Sequence, residues 1–115
     1  MYKMTILFNT PENINDFEER WSQQFIPIAE QMPGVQRITV SHIEGEPKGK
    51  SEYYKIHEFQ FANKPSLDHA LNSEKGVQAG KALMKFAGSI TTILFSESFE
   101  EERNNNDLDK YKSTN

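Results

Sequence analysis

The chain of 115 residues contains no cysteine. This absence excludes disulfide bonds, thiolate nucleophiles and cysteine metal ligands, and it fits a reducing compartment, so we expect a cytoplasmic protein. Long hydrophobic runs are also missing. The apolar start of the chain ends at Thr10-Pro11, which is too short for a signal peptide and far below the roughly 20 residues that a membrane-spanning helix needs. We therefore expect no membrane partner.

Positive charge is scarce as well. Thirteen Lys and Arg residues stand against seventeen Asp and Glu residues, a net charge of −4. Without a basic face, nucleic acid is not an expected partner. Three of the four net negative charges lie in residues 97–115, where apolar side chains are few. We predict one folded domain over residues 1–99 and a flexible, acidic and asparagine-rich tail over residues 100–115.

Period-two alternation and β-branched or aromatic residues predict four strands, at residues 3–9, 35–43, 53–61 and 89–96. Between the first two strands, Asn13 is a suitable N-cap for a helix that ends at Pro33-Gly34. Pro27 has no N–H and predicts a kink or a restart in this helix. Its predicted buried side consists of Phe17, Trp21, Phe25, Ile28 and Met32.

A second helical region begins near Asn63 or Ser66 and runs to Ala87. Asn72-Ser73 predicts a break, because Ser73 can cap a new start. Gly76 and Gly80 lie four residues apart and allow either close backbone approach or empty space beside the helix. The predicted buried side consists of Leu67, Leu71, Val77, Leu83 and Phe86.

The order β-α-β-β-α-β predicts an α+β, ferredoxin-like fold, a four-stranded antiparallel sheet with two helices on one face. In the third strand, Tyr53, His57, Phe59 and Phe61 alternate with Tyr54, Ile56 and Glu58. The last strand likewise has apolar residues on both sides, Ile90 and Leu94 against Ile93 and Phe95. A sheet that is apolar on both faces but covered by helices on one predicts a homodimer.

Three segments carry a resemblance to a known family. They are F-E-E-R-W-S-Q-Q-F-I-P-I-A-E-Q-M-P-G-V at residues 17–35, Y-Y-K-I-H-E-F-Q-F at 53–61, and S-E-K-G-V-Q-A-G-K-A-L-M-K-F-A-G at 73–88. Their order and spacing over about residues 2–97 resemble the EthD family of dimeric α+β barrels. Relatives of this architecture include cofactor-independent monooxygenases and muconolactone-type isomerases, which place ligands between the sheet and the helices.

The resemblance implies a small apolar or aromatic ligand and no cofactor. One position departs from the family pattern: Phe25 stands where that pattern has a histidine, two residues before the helix proline. Phenylalanine cannot transfer protons or bind metal, so any acid–base role of that histidine does not carry over.

Two alternative residues are left for proton transfer, His57 and Glu58. Neighbouring strand residues point to opposite faces, so only one of them can face the helices. His57 is otherwise a hydrogen-bonded core or interface histidine, and Glu58 is otherwise one half of an ion pair. We expect the one that faces the helices to border an enclosed, mostly apolar cavity together with Trp21, Phe25, Tyr54 and Phe86. This aromatic group can equally be ordinary core.

No metal site is expected, because neither His42 nor His69 has a partner at metal-ligand spacing. Two functions stay open. One is a cofactor-independent oxidoreductase, monooxygenase or isomerase acting on a small apolar or aromatic compound. The other is a non-catalytic dimeric module that binds such a compound. RNA binding through the aromatic third strand is set aside, because the strand lacks the RNA-recognition signature and the domain is acidic.

Overall fold

The computed structural model describes residues 1–103. The predicted tail thus lies mostly outside the described residues. Its first residue, Glu100, accepts a hydrogen bond from the Gln60 amide at 3.2 Å and lies 3.9 Å from the Arg37 guanidinium. The division between a domain over 1–99 and a flexible tail over 100–115 stays a prediction.

Four antiparallel strands form one sheet in the order β2-β3-β1-β4, and helical segments cover one of its faces. This architecture confirms the predicted ferredoxin-like fold. The elements are β1 (Tyr2–Asn9), α1 (Ile14–Arg20), a π-helical turn (Trp21–Phe25), α2 (Ile26–Ala29), β2 (Arg37–His42), β3 (Tyr53–Phe61), α3 (Lys64–Asn72), α4 (Glu74–Ala87), a 3₁₀ turn (Gly88–Ile90) and β4 (Thr91–Glu97).

The π-helical turn is the local response to Pro27. The Ile26 N–H bonds the Trp21 carbonyl five residues back, and Pro27 follows inside the first turn of α2. Because an α-helical turn has about 3.6 residues, side chains four residues apart gradually rotate around the helix axis. The wider π turn offsets this rotation. The buried positions therefore continue in steps of four to Ala29, and Ile28, which we expected on this side, is only partly buried.

Ser73 ends α3 and starts α4, as predicted. Its hydroxyl accepts a hydrogen bond from the Gly76 N–H at 3.1 Å. The restart sets which side of α4 faces the sheet. Val77, which we expected to be buried, is 45% exposed, because the buried side of α4 consists of Gly76, Ala79, Leu83 and Ala87.

The two faces of the sheet differ in polarity more than the sequence predicts. The helix-covered face carries the buried core residues of β1 and β3, such as Met4, Ile6 and Phe59. The opposite face is mixed rather than apolar. Its polar members are Lys3, Thr5, Arg37, Thr39, Ser41, Glu58, Gln60, Thr92 and Ser96, and its apolar ones are Leu7, Ile56 and Leu94. Alternation within single strands did not predict this mixture, because it does not show that polar residues of the neighbouring strands lie beside Ile56 and Leu94.

A register shift changes the start of β3. Phe8 pairs with Lys55 but Asn9 pairs with Tyr53, so Tyr54 is an extra residue. This bulge turns Tyr54 toward α1, where its ring packs 5.7 Å from that of Phe17. The prediction that Tyr54 shares a face with Ile56 and Glu58 is therefore wrong. Tyr53, expected beside His57, is instead partly exposed to solvent.

No helix within residues 1–103 is long and apolar enough to cross a membrane.

Candidate functional site

A buried lysine lies on the helix-covered face, near the start of β3. Lys55 is fully buried, and its ammonium donates a hydrogen bond to Glu18 Oε2 at 2.8 Å. The hydroxyl of Tyr54 donates to the other carboxylate oxygen, Oε1. The same ammonium lies 3.3 Å from the centre of the Trp21 ring. Burial of a charge requires such partners, and here a carboxylate and an aromatic face supply them. We call Glu18, Tyr54 and Lys55 the charged cluster.

Electrostatics fix the protonation of the charged cluster at neutral pH. Burial lowers the pKa of Lys55, and Glu18 offsets only part of that effect. Burial alone would raise the pKa of Glu18, but the hydrogen bonds from Lys55 and Tyr54 and the lysine charge hold it below its usual value. Burial and the bond to Glu18 raise the pKa of Tyr54 to about 12. The cluster is thus an ammonium–carboxylate pair with a neutral phenol.

His57 lies on the same side of the sheet, next to the charged cluster. The Trp21 indole N–H donates to His57 Nδ1 at 3.3 Å, which places the imidazole proton on Nε2. Burial, and then the charge of Lys55, lower the pKa of His57 to about 4. The imidazole is therefore neutral at pH 7, and its Nδ1 lone pair is occupied, so it is a poor proton acceptor in this arrangement.

Glu58 lies on the opposite face of the sheet. Its carboxylate accepts a hydrogen bond from the Thr5 hydroxyl at 3.5 Å and lies 3.6 Å from the Lys3 ammonium. Of the two alternative residues, His57 is thus the one that faces the helices, together with Trp21, Phe25 and Tyr54.

The structure brings the predicted aromatic group together. Trp21, Phe25 and His57 are all buried and contact one another. Phe86 packs at the edge of the group, with its ring 6.4 Å from that of Phe25. A cavity bordered by this whole set stays a prediction; in the structure the indole of Trp21 and the imidazole of His57 are hydrogen-bonded to each other.

An apolar cavity lies instead on the other side of Phe25, between the sheet and α4. Its volume is about 60 Å³, and we call it the glycine cavity. Gly80 is an exposed position at the rim of this space, and a Cβ atom added there would meet nothing within 4 Å, so the cavity is open on this side. Every lining residue is apolar or glycine: Met4, Ile6, Phe25, Met32, Leu71, Gly76, Ala79, Gly80, Leu83 and Ile93.

A wider cleft of about 300 Å³ lies at the start of α1. Phe17 and Phe86 line it together with the exposed polar side chains of Glu12, Asn13 and Asp16. Asp16 is already paired with Arg20 at 3.2 Å. Polar side chains line part of this cleft, whereas every residue that lines the glycine cavity is apolar or glycine, so the glycine cavity is the better candidate for an apolar ligand.

Sequence reasoning missed Glu18 and Lys55. Alternation along β3 places Lys55 on the same side as His57 and Phe59, and a lysine on a buried strand face needs a carboxylate from the helices above it. Glu18 lies one residue after the buried Phe17, near the start of the first helix. These two signals together could have predicted the pair.

Comparison with known proteins gives the family. No protein-family model matches the chain. A crystal structure of an ethyl tert-butyl ether D (EthD) family protein from Bacillus halodurans superposes with a TM-score of 0.84 and is 31% identical, covering 86% of this chain and 99% of that one. The chain belongs to the EthD family. This result confirms the predicted resemblance to the EthD family.

A protein from Rhodococcus erythropolis is 27% identical over 97 residues, 84% of this chain and 94% of its own. It is described as an uncharacterized 11.0 kDa protein in the thcB–thcC intergenic region. More distant structures share the fold of this EthD family member. One is a dimeric ferredoxin-like protein of unknown function from Bacteroides fragilis, 13% identical, TM-score 0.60, covering 84% and 95%. Another is SnoaB, a cofactor-independent oxygenase from Streptomyces nogalater, 12% identical, TM-score 0.62, covering 87% and 94%.

Proposed function

We propose that the protein is a homodimeric module that binds a small apolar molecule in the glycine cavity. The observation that carries the proposal is Gly80. Glycine in a helix interior costs about 0.5–1 kcal/mol relative to alanine, and here no neighbouring atom requires it. Gly80 lies at the exposed rim of an all-apolar space between the sheet and the helices, and its absent side chain leaves that rim open. The cavity opens to solvent at Gly80 and Ile93, and its all-apolar lining favours an apolar ligand.

Binding without chemistry fits the groups around the cavity. The lining offers no titratable side chain. His57, the buried imidazole on this face of the sheet, packs against Phe25 and is hydrogen-bonded to Trp21. Glu58 belongs to the other face, and Glu18 is held by Lys55 and Tyr54. Each candidate acid or base therefore has a structural partner, which favours the binding module over an enzyme.

Catalysis is the second candidate, and one contact favours it. Phe25 both lines the glycine cavity and packs its ring 5.7 Å from His57. Movement of this single ring would let a ligand reach the imidazole Nε2–H, a hydrogen-bond donor. The reaction class would be that of a cofactor-independent oxidoreductase, monooxygenase or isomerase. SnoaB, a cofactor-independent oxygenase, has the same fold. At 12% identity that likeness carries the fold and not the reaction.

The homodimer is proposed from the uncovered face of the sheet. Leu7 and Ile56 are cross-strand partners there, and Leu94 is 52% exposed. Such a patch on a small domain is typical of a contact surface, and structures of the same fold are described as dimeric.

Ligand binding can be tested with xenon and short alkanes, monitored by NMR chemical shifts and thermal shift. Gly80→Leu places a side chain in the cavity, and we expect it to weaken binding at least about tenfold. Gln78→Leu adds the same side chain at an exposed position of α4 that does not line the cavity, and should bind as the wild type does. If neither xenon nor any alkane binds the wild type, the proposed function is wrong.

The two candidate functions can be separated with His57→Phe and Glu58→Leu. The binding module predicts that both variants keep xenon affinity within about twofold of wild type. An enzyme that uses His57 predicts loss of turnover in His57→Phe alone. Detection of such turnover with a small aromatic substrate would replace the binding module with the enzyme.

A further inference from the structure

We propose that the glycine cavity continues past Leu71 into a second space, and that the two together take a straight-chain molecule ending in a hydroxyl group. This inference rests on the proposed binding function and adds the chemical class of the ligand. The second space is a groove of about 150 Å³, which we call the α3 groove. Its lining consists of Tyr2, Lys64, Leu67, Asp68, Leu71 and Phe95.

Leu71 and the two strands connect the spaces. Leu71 lines both of them. Met4 and Ile93 line the glycine cavity, and the residues two positions away on the same strands, Tyr2 and Phe95, line the α3 groove. Strand residues two apart point to the same side, about 7 Å from one another. The spaces therefore follow one another along the strands, with the Leu71 side chain between them.

The shape favours a chain over a ring. An apolar cavity of about 150 Å³ takes a benzene molecule, so the glycine cavity, at about 60 Å³, holds only a few carbon atoms. From Ile6 to Tyr2 the lining extends over four strand steps, about 13 Å. A narrow, unbranched alkyl chain matches a site with these proportions. One end of the alkyl chain would lie at Gly80 and the other end in the α3 groove.

The polar rim of the α3 groove indicates the end group. Lys64 donates to Asp68 at 2.9 Å, and the two side chains are 63% and 52% exposed. An exposed ion pair contributes little stability, so a ligand can replace the hydrogen bond between these two side chains at small cost in free energy. A hydroxyl group can donate to the Asp68 carboxylate and accept from the Lys64 ammonium. A carboxylate would meet the negative charge of Asp68, and an ammonium group the positive charge of Lys64.

Calorimetric titration of the wild type with straight-chain alcohols, carboxylates and amines of matched length tests this assignment. We expect the Kd of the alcohols to fall with each added carbon and then to level off once both spaces are filled. At equal length the alcohol should bind at least about threefold more tightly than either charged analogue. Equal affinity for all three classes, or no dependence on chain length, would overturn the proposal.

Two surface substitutions test the rim without touching the core. Asp68→Asn leaves the Lys64 ammonium without its negative partner and should move the preference from alcohols to carboxylates. Lys64→Gln leaves the Asp68 carboxylate without its positive partner and should move the preference to amines. Both residues are exposed, so the variants should fold as the wild type does. If neither preference moves, the α3 groove does not hold the end group.

Xenon distinguishes failure of this inference from failure of the proposed function. Phe95→Asp puts a charge into the α3 groove at a residue that does not line the glycine cavity, and it should remove the gain from longer alcohols while xenon still binds beside Gly80. Xenon binding to the wild type without any preference among the three ligand classes would reject the hydroxyl-ended chain and leave the binding function standing. Failure of both xenon and alcohols to bind would reject the two together.

Discussion

The Lys55 ammonium lies 3.3 Å from the centre of the Trp21 ring, and the indole N–H of that ring donates to His57. One side chain thus stabilises a buried charge through its face and fixes a neutral imidazole through its edge. A desolvated cation–π contact of this kind is worth about 2 kcal/mol. Trp21 thus links Lys55 and His57 on the helix-covered face of the sheet.

The charged cluster should respond unequally to loss of its two charges. Glu18→Leu leaves Lys55 buried without its carboxylate, and we expect a loss of about 3 kcal/mol in the free energy of unfolding. Lys55→Met keeps the buried volume and leaves Glu18, whose side chain is 32% exposed, able to reach water. Its cost should be at most about 1 kcal/mol. Urea denaturation at pH 7 measures both, and equal costs would contradict the assignment of Lys55 as the costly partner.

Stability should fall in mild acid because of His57. Its pKa is about 4 in the folded protein, against an ordinary histidine value of 6.5. The unfolded chain therefore binds more protons between these values, and stability is lost as the pH drops below about 6.5. We expect the His57 contribution to fall by about 2 kcal/mol between pH 7 and pH 5.

Comparison of His57→Phe with the wild type isolates this effect. The variant should lose the part of the pH dependence that His57 causes, as measured by urea denaturation at both pH values. His69→Gln, which removes an exposed imidazole from α3, is the control and should keep the wild-type slope. An unchanged slope in His57→Phe would mean that His57 is not the group that titrates.

The two glycines of α4 should respond in opposite directions to alanine. Gly80→Ala meets no atom and removes a flexible residue from a helix, so it should stabilise the protein by about 0.5–1 kcal/mol. At Gly76 the added Cβ would lie 2.0 Å from the Ala70 carbonyl oxygen, which is backbone and cannot move aside cheaply. Gly76→Ala should therefore destabilise by more than about 1 kcal/mol. The same sign for both in thermal or urea denaturation would contradict the geometry of α4.

These glycines also show what the sequence could and could not predict. The element order, the four strands and the break at Ser73 follow from local periodicity, capping and proline chemistry. The pair Gly76 and Gly80 indicated either close approach or empty space, and the structure assigns one of these to each. Which glycine takes which role depends on how α3 meets α4, which is a tertiary contact and leaves no local signal.

The site itself was less predictable because two backbone irregularities rotate its side chains. The bulge at Tyr54 and the π turn from Trp21 to Phe25 each change the direction of a side chain relative to a regular strand or helix. Alternation therefore placed Tyr54 on the wrong face. It did bring His57 and Phe25 to one side, but it could not show that their rings fill the space between them.

The dimer should depend on the uncovered face of the sheet. Leu94→Glu introduces a charge on that face and should shift the protein to a monomer in sedimentation velocity at micromolar concentration. Val77→Glu, at a comparably exposed position on α4, is the matched control and should remain dimeric. A monomeric wild type would contradict the proposed homodimer, and dissociation by Val77→Glu instead would place the contact on the helices.

Xenon-pressurised crystals test the central claim most directly, because they report the occupant of the glycine cavity atom by atom. We predict a xenon peak beside Gly80, in contact with Ile6, Phe25 and Leu83, in the wild type, and no peak there in Gly80→Leu. A wild-type crystal with no xenon in this space, under pressures that fill apolar cavities in other proteins, would show that the space is closed core and would contradict the account.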